Sequence, residues 1–539
     1  MIIICTYCKM RYTRKKYRKR KIQKRAKRTM KGGSNAPMVT MPSFISKSVY
    51  KGARNKHDVP LVLYQTWHSN QLPQRMYDNI KSFLKTNPEF DYHFYTDDDC
   101  LQFIKDNFEQ DVADAFEMLI PGAFKADLWR YCVLYKKGGL YLDIKYYSTE
   151  PLYPILDETG PIFVLDSREA ECVDTKYGIY NGFMAVPPHS MILKACIDDI
   201  VQSSKVKLLR KNSLDVTGPC LLARKLYSLN PDYTSQYQYE NYTETNANGR
   251  FPMGRIKFKG RIVLLHYNGY RADQKLLQKT KHYHDLYYKE KRIWHDVVPC
   301  PFHIKKTKDI GHTVNTIPLV IYETWHTRNI TPAMKKTIDS LLMMNPEFEF
   351  YLYDKYDCIK FIKEHFEHDV LDAYNCLAPI AFKSDLWRYC MLYIRGGVYM
   401  DIKFTTRIPL LRFIEEYGTI YVKDINNFCK NGIINGFIVT PPKNPIFKEC
   451  IDEIVSSYKS KSVMNNVLDL TGPCLLGRKL EKLKAFHTSP FHLKDKPILT
   501  VNHKDEVFLE GYGSYKEERA KTQLTKHYGE MYPNNVWCK

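Results

Sequence analysis

Two pairs of charged residues in this sequence have the spacing of neighbours on one face of a helix. Asp127 and Arg130 are three residues apart in an apolar-periodic segment, and Asp385 and Arg388 repeat the pair 258 residues later. Residues at this spacing meet on a helix surface. One interpretation is an ion pair on a solvated face. The alternative is a set of fixed, charged hydrogen-bonding groups that faces a ligand.

A further carboxylate follows each pair at the end of a short apolar run. A Gly-Gly pair and this run predict a strand that ends at Asp143, with Lys145 two residues later, and Asp401 and Lys403 end the second run in the same way. In an open α/β sheet the ligand crevice lies beyond the carboxyl ends of the strands. This placement favours the ligand-binding interpretation over a solvated ion pair.

The elements that position these residues occur twice. Residues 121–147 read PGAFKADLWRYCVLYKKGGLYLDIKYY, residues 379–405 read PIAFKSDLWRYCMLYIRGGVYMDIKFT, and 18 of the 27 positions are identical. Shorter strings repeat at nearly the same offset before and after this stretch. Copies of this length are whole domains and not units of a solenoid, so the pattern indicates a tandem duplication.

Strands alternate with helices through the first part of each copy. This alternation predicts an α/β fold with two tandem Rossmann-like domains, each built on a mainly parallel sheet. We expect a basic tail at 1–57, a first domain at 58–300 and a second domain at 313–539. The segment 299–317 is the predicted linker between the domains.

The formal charge of +22 comes mostly from one end of the chain. Residues 1–57 contain 18 Lys or Arg and no acidic residue, so the rest of the chain is close to neutral. A block of like charge is expected to be disordered alone and to contact nucleic acid or an anionic membrane. A solvated arm without a partner is the alternative. The charge therefore says little about the two domains.

The compartment is predicted from cysteine usage and hydropathy. Fifteen cysteines without a secretory signal favour reduced thiols. The sequence has no run of 18 apolar residues, so we expect no transmembrane span. These features predict a cytoplasmic protein, of bacterial or viral origin, whose oligomeric state the sequence leaves open.

The repeated motifs resemble one enzyme family. The strings FKADLWRY at 124–131 and LYKKGGLYLD at 134–143, with Gln-Thr-Trp at 65–67, Asn-Gly at 181–182 and Thr-Gly-Pro at 217–219, are similar to those of the Och1-like, DXD-motif sugar-nucleotide glycosyltransferases (glycosyltransferase family 32). The resemblance covers both copies and implies a GT-A fold. It also implies sugar transfer from a nucleotide diphosphate with retention at the anomeric carbon.

The resemblance assigns a role to each matched residue. Aspartate and arginine, which offer paired hydrogen-bonding atoms suited to a polyol, would bind the donor sugar. The tryptophan would stack on the nucleotide base beside a threonine, the strand-end aspartate would contact the ribose and the metal, and the asparagine would lie at the acceptor side. The residues are Asp127, Arg130, Asp143, Asn181, Thr66 and Trp67 in the first copy, and Asp385, Arg388, Asp401, Asn435, Thr324 and Trp325 in the second. Core packing for the tryptophans and a turn before glycine for the asparagines are the alternatives.

The sequence departs from the family pattern at one position in each copy. The second aspartate of the DXD motif, a Mn²⁺ ligand in the family, is replaced by Lys145 and Lys403. Positions i and i+2 of a strand face the same side, so each lysine should lie beside its aspartate and weaken a Mn²⁺ or Mg²⁺ site there. We hypothesise that the lysines supply positive charge to the diphosphate leaving group. The alternative is that each lysine pairs with the aspartate and closes the site.

The copies differ at a late strand. His266 in the first copy aligns with Gly511 in the second. A histidine there resembles one in the family and would donate a hydrogen bond to the diphosphate. A structural histidine is the alternative. If His266 is functional, the first copy is the better catalyst.

The sequence therefore predicts a retaining glycosyltransferase with two sites per chain. It would move a hexose or N-acetylhexosamine from a UDP- or GDP-linked donor to a saccharide or glycoprotein acceptor. One alternative is a non-catalytic protein that binds sugar nucleotides or glycans, with its DXD motifs inactivated. Another is a nucleic-acid-binding protein that acts through the tail.

Overall fold

The chain forms two compact units, Met1–His295 and Asp296–Lys539. The structure is a computed structural model of the 539-residue chain. It describes residues 37–45, 53–166, 172, 175, 177–246, 249–277, 281–424, 429, 431–461, 467–483, 491–493, 499–501 and 506–522.

The first unit alternates strands and helices up to residue 142 and is richer in strands afterwards. Its strands are β1 Met38–Thr40, β2 Phe44–Ile45, β3 Val62–Thr66, β4 Gln71–Pro73, β5 Asp91–Tyr95, β6 Gly139–Leu142, β7 Tyr146–Ser148, β8 Ile162–Asp166, β9 Gly178–Val186, β10 Tyr237–Asn246, β11 Gly249–Phe258 and β12 Arg261–His266. Its helices are α1 Gln74–Thr86, α2 Asp97–Asn107, α3 Gln110–Met118, α4 Gly122–Lys137, α5 Tyr153–Thr159, α6 Met191–Lys205, α7 Pro219–Leu229 and α8 Tyr270–Leu277, with a π-helical turn at Asp285–Lys289.

The first unit is built on one sheet with the order β2-β5-β3-β6-β9-β8-β10-β11-β12-β7. Strand β3 is parallel to β5 and β6, and β8 is parallel to β10. The other neighbours are antiparallel. The α/β class is confirmed, but the sheet is mixed and not mainly parallel. Short connections account for the antiparallel run β10-β11-β12, because a parallel neighbour needs a long crossover and a hairpin does not.

Helix α4 carries the repeated string and ends at a glycine that the packing requires. Gly138 has a φ of +65°, a left-handed backbone that favours glycine, and a Cβ there would lie 2.6 Å from the backbone nitrogen of Pro188. The chain turns directly into β6. This sharp turn fixes where the strand ends, and so fixes the position of Asp143.

The helix is held by burial on nearly all sides. Trp129 and Tyr131 are among the largest side chains of the chain that are fully buried, and Leu128 and Val133 are also fully buried. In the second unit Trp387 and Tyr389 occupy the matching places. Because the apolar residues anchor the helix, its few polar side chains keep fixed directions.

The second unit repeats the large sheet and most helices of the first, and its described residues include a further two-stranded pair and a further short helix. Its strands are β13 Val298–Pro299, β14 His303–Ile304, β15 Thr313–Val314, β16 Ile317–Pro318, β17 Val320–Thr324, β18 Asn329–Ile330, β19 Glu349–Tyr353, β20 Gly397–Met400, β21 Phe404–Thr406, β22 Ile420–Lys423, β23 Ile433–Thr440, β24 His492–Leu493, β25 Leu499–Val501 and β26 Val507–Gly511. Its helices are α9 Pro332–Met344, α10 Lys355–His365, α11 His368–Cys376, α12 Ile380–Arg395, α13 Leu410–Tyr417, α14 Pro445–Ser460, α15 Val467–Leu470, α16 Pro473–Lys482 and α17 Tyr515–Thr522.

The order of the second large sheet is β14-β19-β17-β20-β23-β22-β24-β25-β26-β21. Each strand has its counterpart at the same place in the first sheet. The tandem duplication predicted from the repeated strings is therefore a duplication of the whole sheet.

The unit boundary falls earlier than the predicted linker. Residues of 299–317 belong to the second unit, since β13 pairs with β18, β14 pairs with β19, and Cys300 is buried in the core of that unit. Part of the predicted tail also belongs to a unit, because β1 pairs with β4 and β2 with β5. Residues 1–36, which hold most of the basic block, lie outside the described residues.

Disulfides, two of which join cysteines that are both among the described residues, correct the expectation of reduced thiols. Cys172 is joined to Cys220 and Cys429 to Cys474, with Cα–Cα distances of 5.2 and 5.6 Å. These pairs could not be predicted from the repeats, because Cys172 and Cys429 fall outside the repeated strings. Disulfides persist in oxidising compartments, so cysteine usage no longer supports a cytosolic location. Across the described ranges, no helix is long and apolar enough to cross a membrane.

Candidate functional site

The first unit gathers its predicted site residues at the end of β6. Asp127 and Arg130 project from α4 and are both buried, with Arg130 Nη2 3.3 Å from Asp127 Oδ1. Thr217 Oγ1 donates to Asp127 Oδ2 at 2.8 Å, and Asn181 Nδ2 donates to Asp127 Oδ1 at 2.9 Å. The pair is therefore not on a solvated face, and the solvated ion-pair interpretation is wrong.

Asp143 contacts both the arginine and the lysine of the cluster. Its Oδ1 lies 3.4 Å from Arg130 Nη2 and accepts from Tyr141 Oη at 3.0 Å. Its Oδ2 lies 2.7 Å from Lys145 Nζ and accepts from Tyr180 Oη at 3.3 Å. The carboxylate thus has donors on both oxygens. Its side chain and that of Lys145 are each 20 % exposed, so this end of the cluster is open to a ligand.

The contact between Asp143 and Lys145 was predicted, but the backbone that makes it is different. Asp143 follows the last residue of β6, and the chain then turns, with Tyr146 N donating to the Asp143 carbonyl at 3.1 Å. Lys145 lies in this turn and not in a strand. The turn folds the lysine back onto the carboxylate.

A glycine lets this carboxylate approach β9. A Cβ on Gly182 would lie 2.5 Å from Asp143 Oδ2, and one on Gly436 would lie 2.7 Å from Asp401 Oδ2. The preceding residues, Asn181 and Asn435, are inside β9 and β23. The alternative of a turn asparagine is therefore wrong, and the repeated Asn-Gly marks close approach of the aspartate to a strand.

Burial and charge move the two carboxyl pKa values in opposite directions. Burial raises the pKa of Asp127 to about 6, against the opposing effects of Arg130 and of the hydrogen bond from Thr217. Burial also acts to raise the pKa of Asp143, but Lys145 and Arg130 outweigh it and lower that pKa to about 2. Asp143 is thus a permanent anion, while Asp127 titrates near neutrality.

The second unit has the same arrangement. Thr471 Oγ1 donates to Asp385 Oδ2 at 2.8 Å, and Tyr399 Oη donates to Asp401 Oδ1 at 3.0 Å. The charged contacts also match those of the first unit: Arg388 lies 3.4 Å from Asp385 and 3.6 Å from Asp401, and Lys403 lies 2.7 Å from Asp401. Asn435 hydrogen-bonds Asp385 as Asn181 does Asp127, and its Nδ2 also donates to the Thr471 carbonyl at 3.2 Å.

The predicted alignment of His266 with Gly511 agrees with the strand register. His266 pairs with Tyr146, and Gly511 pairs with Phe404. Gly254 N donates to His266 Nδ1 at 2.9 Å, so the ring proton is on Nε2, which has no partner among the described residues. Burial, with a further contribution from Lys145, lowers the pKa of His266 to about 2. This histidine is a neutral hydrogen-bond donor.

A hydroxyl chain beside this histidine exists in the first unit alone. Tyr146 Oη donates to Tyr180 Oη at 2.9 Å, and Tyr180 Oη in turn donates to Asp143. The residues at the matching positions of the second unit are Phe404 and Ile434, neither of which has a hydroxyl. The second site therefore lacks one donor to its strand-end aspartate.

The predicted nucleotide-binding residues lie at the end of the neighbouring strand. Trp67 is partly buried against the core, and its Nε1 has no partner in the part of the chain that the structure describes. Trp325 packs near Tyr515, with ring centroids 6.2 Å apart. Thr66 Oγ1 donates to the Tyr95 carbonyl at 2.9 Å, and Thr324 makes the same contact with Tyr353. These hydrogen bonds to the backbone favour a structural role for the two threonines. Base stacking by the tryptophans stays a prediction.

The donor set does not fit a divalent cation at the usual place. The Lys145 and Lys403 ammonium groups lie 2.7 Å from the aspartates that would hold the metal, where they repel a second cation. Within the described ranges, no group of three His, Cys, Asp or Glu side chains is arranged to hold a metal ion.

Some residues of the site were given no role from the sequence. Tyr141 and Thr217 lie in repeated strings, as do Tyr399 and Thr471, so repetition would have found them. Tyr180 is replaced by isoleucine in the second copy, and repetition could not have found it. Its role follows from the structure alone.

One family model matches this chain twice. The family model described as "Glycosyltransferase sugar-binding region containing DXD motif" matches residues 73–161 and 331–420. Inositol phosphoceramide mannosyltransferase 3 of Schizosaccharomyces pombe is 31 % identical over 100 residues, which are 18 % of this chain and 27 % of that enzyme. The uncharacterized glycosyltransferase L373 of Acanthamoeba polyphaga mimivirus is 23 % identical over 41 % of this chain and 87 % of its own length.

Solved structures of low similarity also match. The PaToxG glycosyltransferase covers 31 % of this chain and 70 % of its own, with 20 % identity and a TM-score of 0.25. The matched segments span about a quarter of the yeast enzyme's length but most of the viral protein's.

Proposed function

We propose, from the premise that both halves of this chain belong to the DXD-motif glycosyltransferases, that the protein transfers a sugar from a nucleotide diphosphate to an acceptor. The observation that carries the proposal is the buried cluster of Asp127, Arg130 and Asp143 with its copy in the second unit. Buried charges are costly unless they are paired, and an exposed edge on such a cluster is typical of a binding site. A structural ion pair would not need Asp143 to stay partly open.

The donor is a sugar linked to UDP or GDP. The sugar hydroxyls would bind to Asp127 and Arg130, which Thr217 and Asn181 hold in fixed directions. Trp67 would stack on the base. Hydrogen bonds to a carboxylate and a guanidinium are directional, so this pair would select the orientation of hydroxyls on a hexose or N-acetylhexosamine. The family resemblance supports retention at the anomeric carbon.

The lysine beside each strand-end aspartate would act on the leaving group. When the bond from the sugar to the phosphate breaks, negative charge grows on the diphosphate and must be stabilised. Lys145 and Lys403 are partly exposed cations fixed at the mouth of the clusters. These two lysines would supply the positive charge that stabilises the departing diphosphate. In the first unit, the neutral His266 would add a hydrogen-bond donor.

The acceptor is a glycan, a glycoprotein or an inositol-containing lipid. The first two follow from the family resemblance. The third follows from the relatives, several of which are named as inositol phosphoceramide mannosyltransferases. All three classes present a hydroxyl as the nucleophile.

Release of UDP or GDP from a panel of sugar nucleotides tests the proposal. The assay is run with Mn²⁺ and with EDTA, in the presence of an acceptor extract. We expect release with at least one donor, and we expect it to survive EDTA. Asp127→Asn combined with Asp385→Asn should abolish release, and this double variant controls for contaminating enzymes. Absence of release from every donor would overturn transferase activity.

A second candidate is a protein that binds sugar nucleotides without turnover. The contact of 2.7 Å between Lys145 and Asp143 favours it, because this pairing occupies one oxygen of the carboxylate. Titration calorimetry separates the two candidates. Binding of a donor without release of nucleotide, even with acceptors present, would establish the second candidate.

A further inference from the structure

A loop on the first unit exposes apolar side chains in an unusually dense run. Val206 is 72 % exposed, Leu208 38 % and Leu209 40 %, all within four residues after α6. Scattered exposed apolar residues are normal on a soluble protein, but a contiguous patch indicates an interaction surface. The run 206–209 therefore indicates an interaction surface.

The loop is held in place by a second segment of the same unit. Trp294 Nε1 donates to the Leu208 carbonyl at 3.0 Å, and the Tyr287 hydroxyl donates to the Arg210 carbonyl. Ser213 N donates to the hydroxyl of Tyr288, a side chain that is 41 % exposed. These bonds hold the backbone of the loop in a position that leaves its apolar side chains exposed. We call Val206, Leu208, Leu209 and Tyr288, with the basic residues around them, the docking patch.

The basic residues of the docking patch outnumber the acidic ones. They are Lys205, Lys207, Arg210, Lys211, Lys289, Lys291 and Arg292. Three of them form ion pairs, with Asp111, Asp199 and Asp285. Lys291 and Arg292 are exposed and make no ion pair with another described residue. The patch therefore combines an apolar tip with a positively charged surround.

This combination fits the surface of a membrane with anionic lipids. Apolar side chains enter the boundary between headgroups and acyl chains, while basic side chains stay at the headgroups and are attracted to their charge. An aromatic side chain with a hydroxyl prefers the same depth. Nucleic acid would satisfy the charge but not the aliphatic tip. We propose that the docking patch binds the first unit to an anionic lipid surface.

The second copy keeps only part of this run in its sequence. Aligned on Asp215-Val-Thr217 and Asp469-Leu-Thr471, the positions of Val206, Leu208 and Lys211 hold serine, serine and asparagine, whereas the position of Leu209 holds valine. The full combination of apolar and basic residues is thus particular to the first unit. The serines of the second copy also show which substitutions at Val206 and Leu208 the same fold can accommodate.

The docking patch is close in sequence to the sugar-binding cluster. Five residues separate Lys211 from Thr217, whose hydroxyl donates to Asp127. A docked first unit would hold its cluster near the lipid surface, where a lipid-linked acceptor is concentrated. This consequence for the acceptor rests on the proposed function, whereas the docking itself does not.

Hydrogen exchange of the full chain tests the proposal. The chain is mixed with vesicles that contain about 30 mol % phosphatidylserine in phosphatidylcholine, or with pure phosphatidylcholine. We expect slower exchange of the backbone amides in 205–211 and 286–292 on the anionic vesicles. Binding by the basic residues 1–36 would bring the chain to the vesicles without protecting these segments, and that result would overturn the proposal.

Substitutions provide the second arm of the test. Val206→Ser with Leu208→Ser should weaken partitioning onto the anionic vesicles about tenfold and remove the protection. Met343→Ser changes a side chain that is 82 % exposed in the second unit, and it should leave partitioning unchanged. Equal weakening by both variants, or no weakening by the first, would contradict the docking patch.

The outcomes separate docking from the proposed function. The Val206→Ser, Leu208→Ser variant should release nucleotide at the normal rate with a soluble acceptor. Protection of the docking patch in a chain that releases no nucleotide would support docking and reject the transferase. Release without protection would reject docking and leave the transferase in place.

Discussion

Asp143 and Asp401 are each contacted by a lysine where the family pattern has a metal ligand. The distance is 2.7 Å in both units, and the pKa of each aspartate is lowered to about 2, against burial, by the lysine and the nearby arginine. Both units keep this aspartate–lysine pair although the sequence around it has diverged. Decay of an inactive site would not be expected to preserve the same pair twice. At the scale of single residues, the lysine is the feature on which the chemistry depends.

Removal of this lysine should slow turnover. Loss of one preorganised positive group at a developing anion typically costs about 10²-fold in rate. We expect Lys145→Ala with Lys403→Ala to lower nucleotide release by about that factor, with a smaller change in donor affinity. Steady-state release assays measure both quantities. Lys194→Ala, which removes an exposed lysine from the surface pair with Asp198, is the control and should have no effect.

Restoring the family residue should change the metal response. Lys145→Asp replaces the repelling ammonium with a second carboxylate two residues from Asp143, so Mn²⁺ affinity in the first unit should rise. Titration calorimetry with Mn²⁺ alone measures this without reference to activity. Unchanged Mn²⁺ binding would show that the lysine is not what weakens the site.

The raised pKa of Asp127 predicts a pH dependence of donor binding. Above about pH 6 the carboxylate is charged and accepts hydrogen bonds, and as the pH falls through 6 it gains a proton and loses this capacity. Donor affinity should fall by up to about tenfold per pH unit below that point. Asp143 stays charged in this range, because its pKa is about 2.

Unfolding would not explain this loss. A carboxyl group whose folded-state pKa lies above its ordinary value binds its proton more tightly when folded, so its protonation stabilises the fold as the pH falls from 6 toward 4. Because burial also raises the pKa of Asp385 in the second unit, the test needs both substitutions: calorimetric titrations of the Asp127→Asn, Asp385→Asn variant should be weak at every pH and show no step near pH 6. A step that persists in this variant would assign the titration to another group.

At the scale of elements, the site depends on the turn between α4 and β6. Gly138→Ala should destabilise the first unit by roughly 2–4 kcal/mol, through its left-handed backbone and the contact with Pro188. Gly260→Ala is the matched control, since Gly260 also has a positive φ, of +81°, but no atom within 4 Å of the added Cβ. It should cost about 1 kcal/mol. Urea unfolding measures both, and equal costs would exclude the contact as the cause.

The sequence predicted elements better than their pairing. The helix that carries Asp127 and the strand that ends at Asp143 were visible from apolar periodicity and a Gly-Gly stop. The direction of β8, β9 and β11 was not, because an apolar run does not show which strand it will neighbour or in which sense. Repetition found residues that both halves kept, and it missed Tyr180 because the second half has Ile434.

At the scale of the whole molecule, each unit completes its own sheet and its own cluster. Within the described residues, neither large sheet takes a strand from the other unit. We therefore expect two donor molecules per chain. Asp127→Asn or Asp385→Asn alone should reduce the stoichiometry in calorimetry from two to one, with the remaining site unchanged. A wild-type stoichiometry of one would mean that one unit does not bind the donor.

The two disulfides have a consequence for how these units diverge. Cys172 and Cys220 are 48 residues apart, whereas Cys429 and Cys474 are 45 apart, and the three-residue difference lies between the first cysteine of each pair and the glycine that precedes or opens the next strand. Each second cysteine lies in the first turn of the helix that follows the site threonine. The difference in length does not reach the site threonines, since Thr217 and Thr471 both donate to their aspartates at 2.8 Å. The number of residues after the first cysteine of each pair can therefore differ between the two copies while the threonine–aspartate contact is kept.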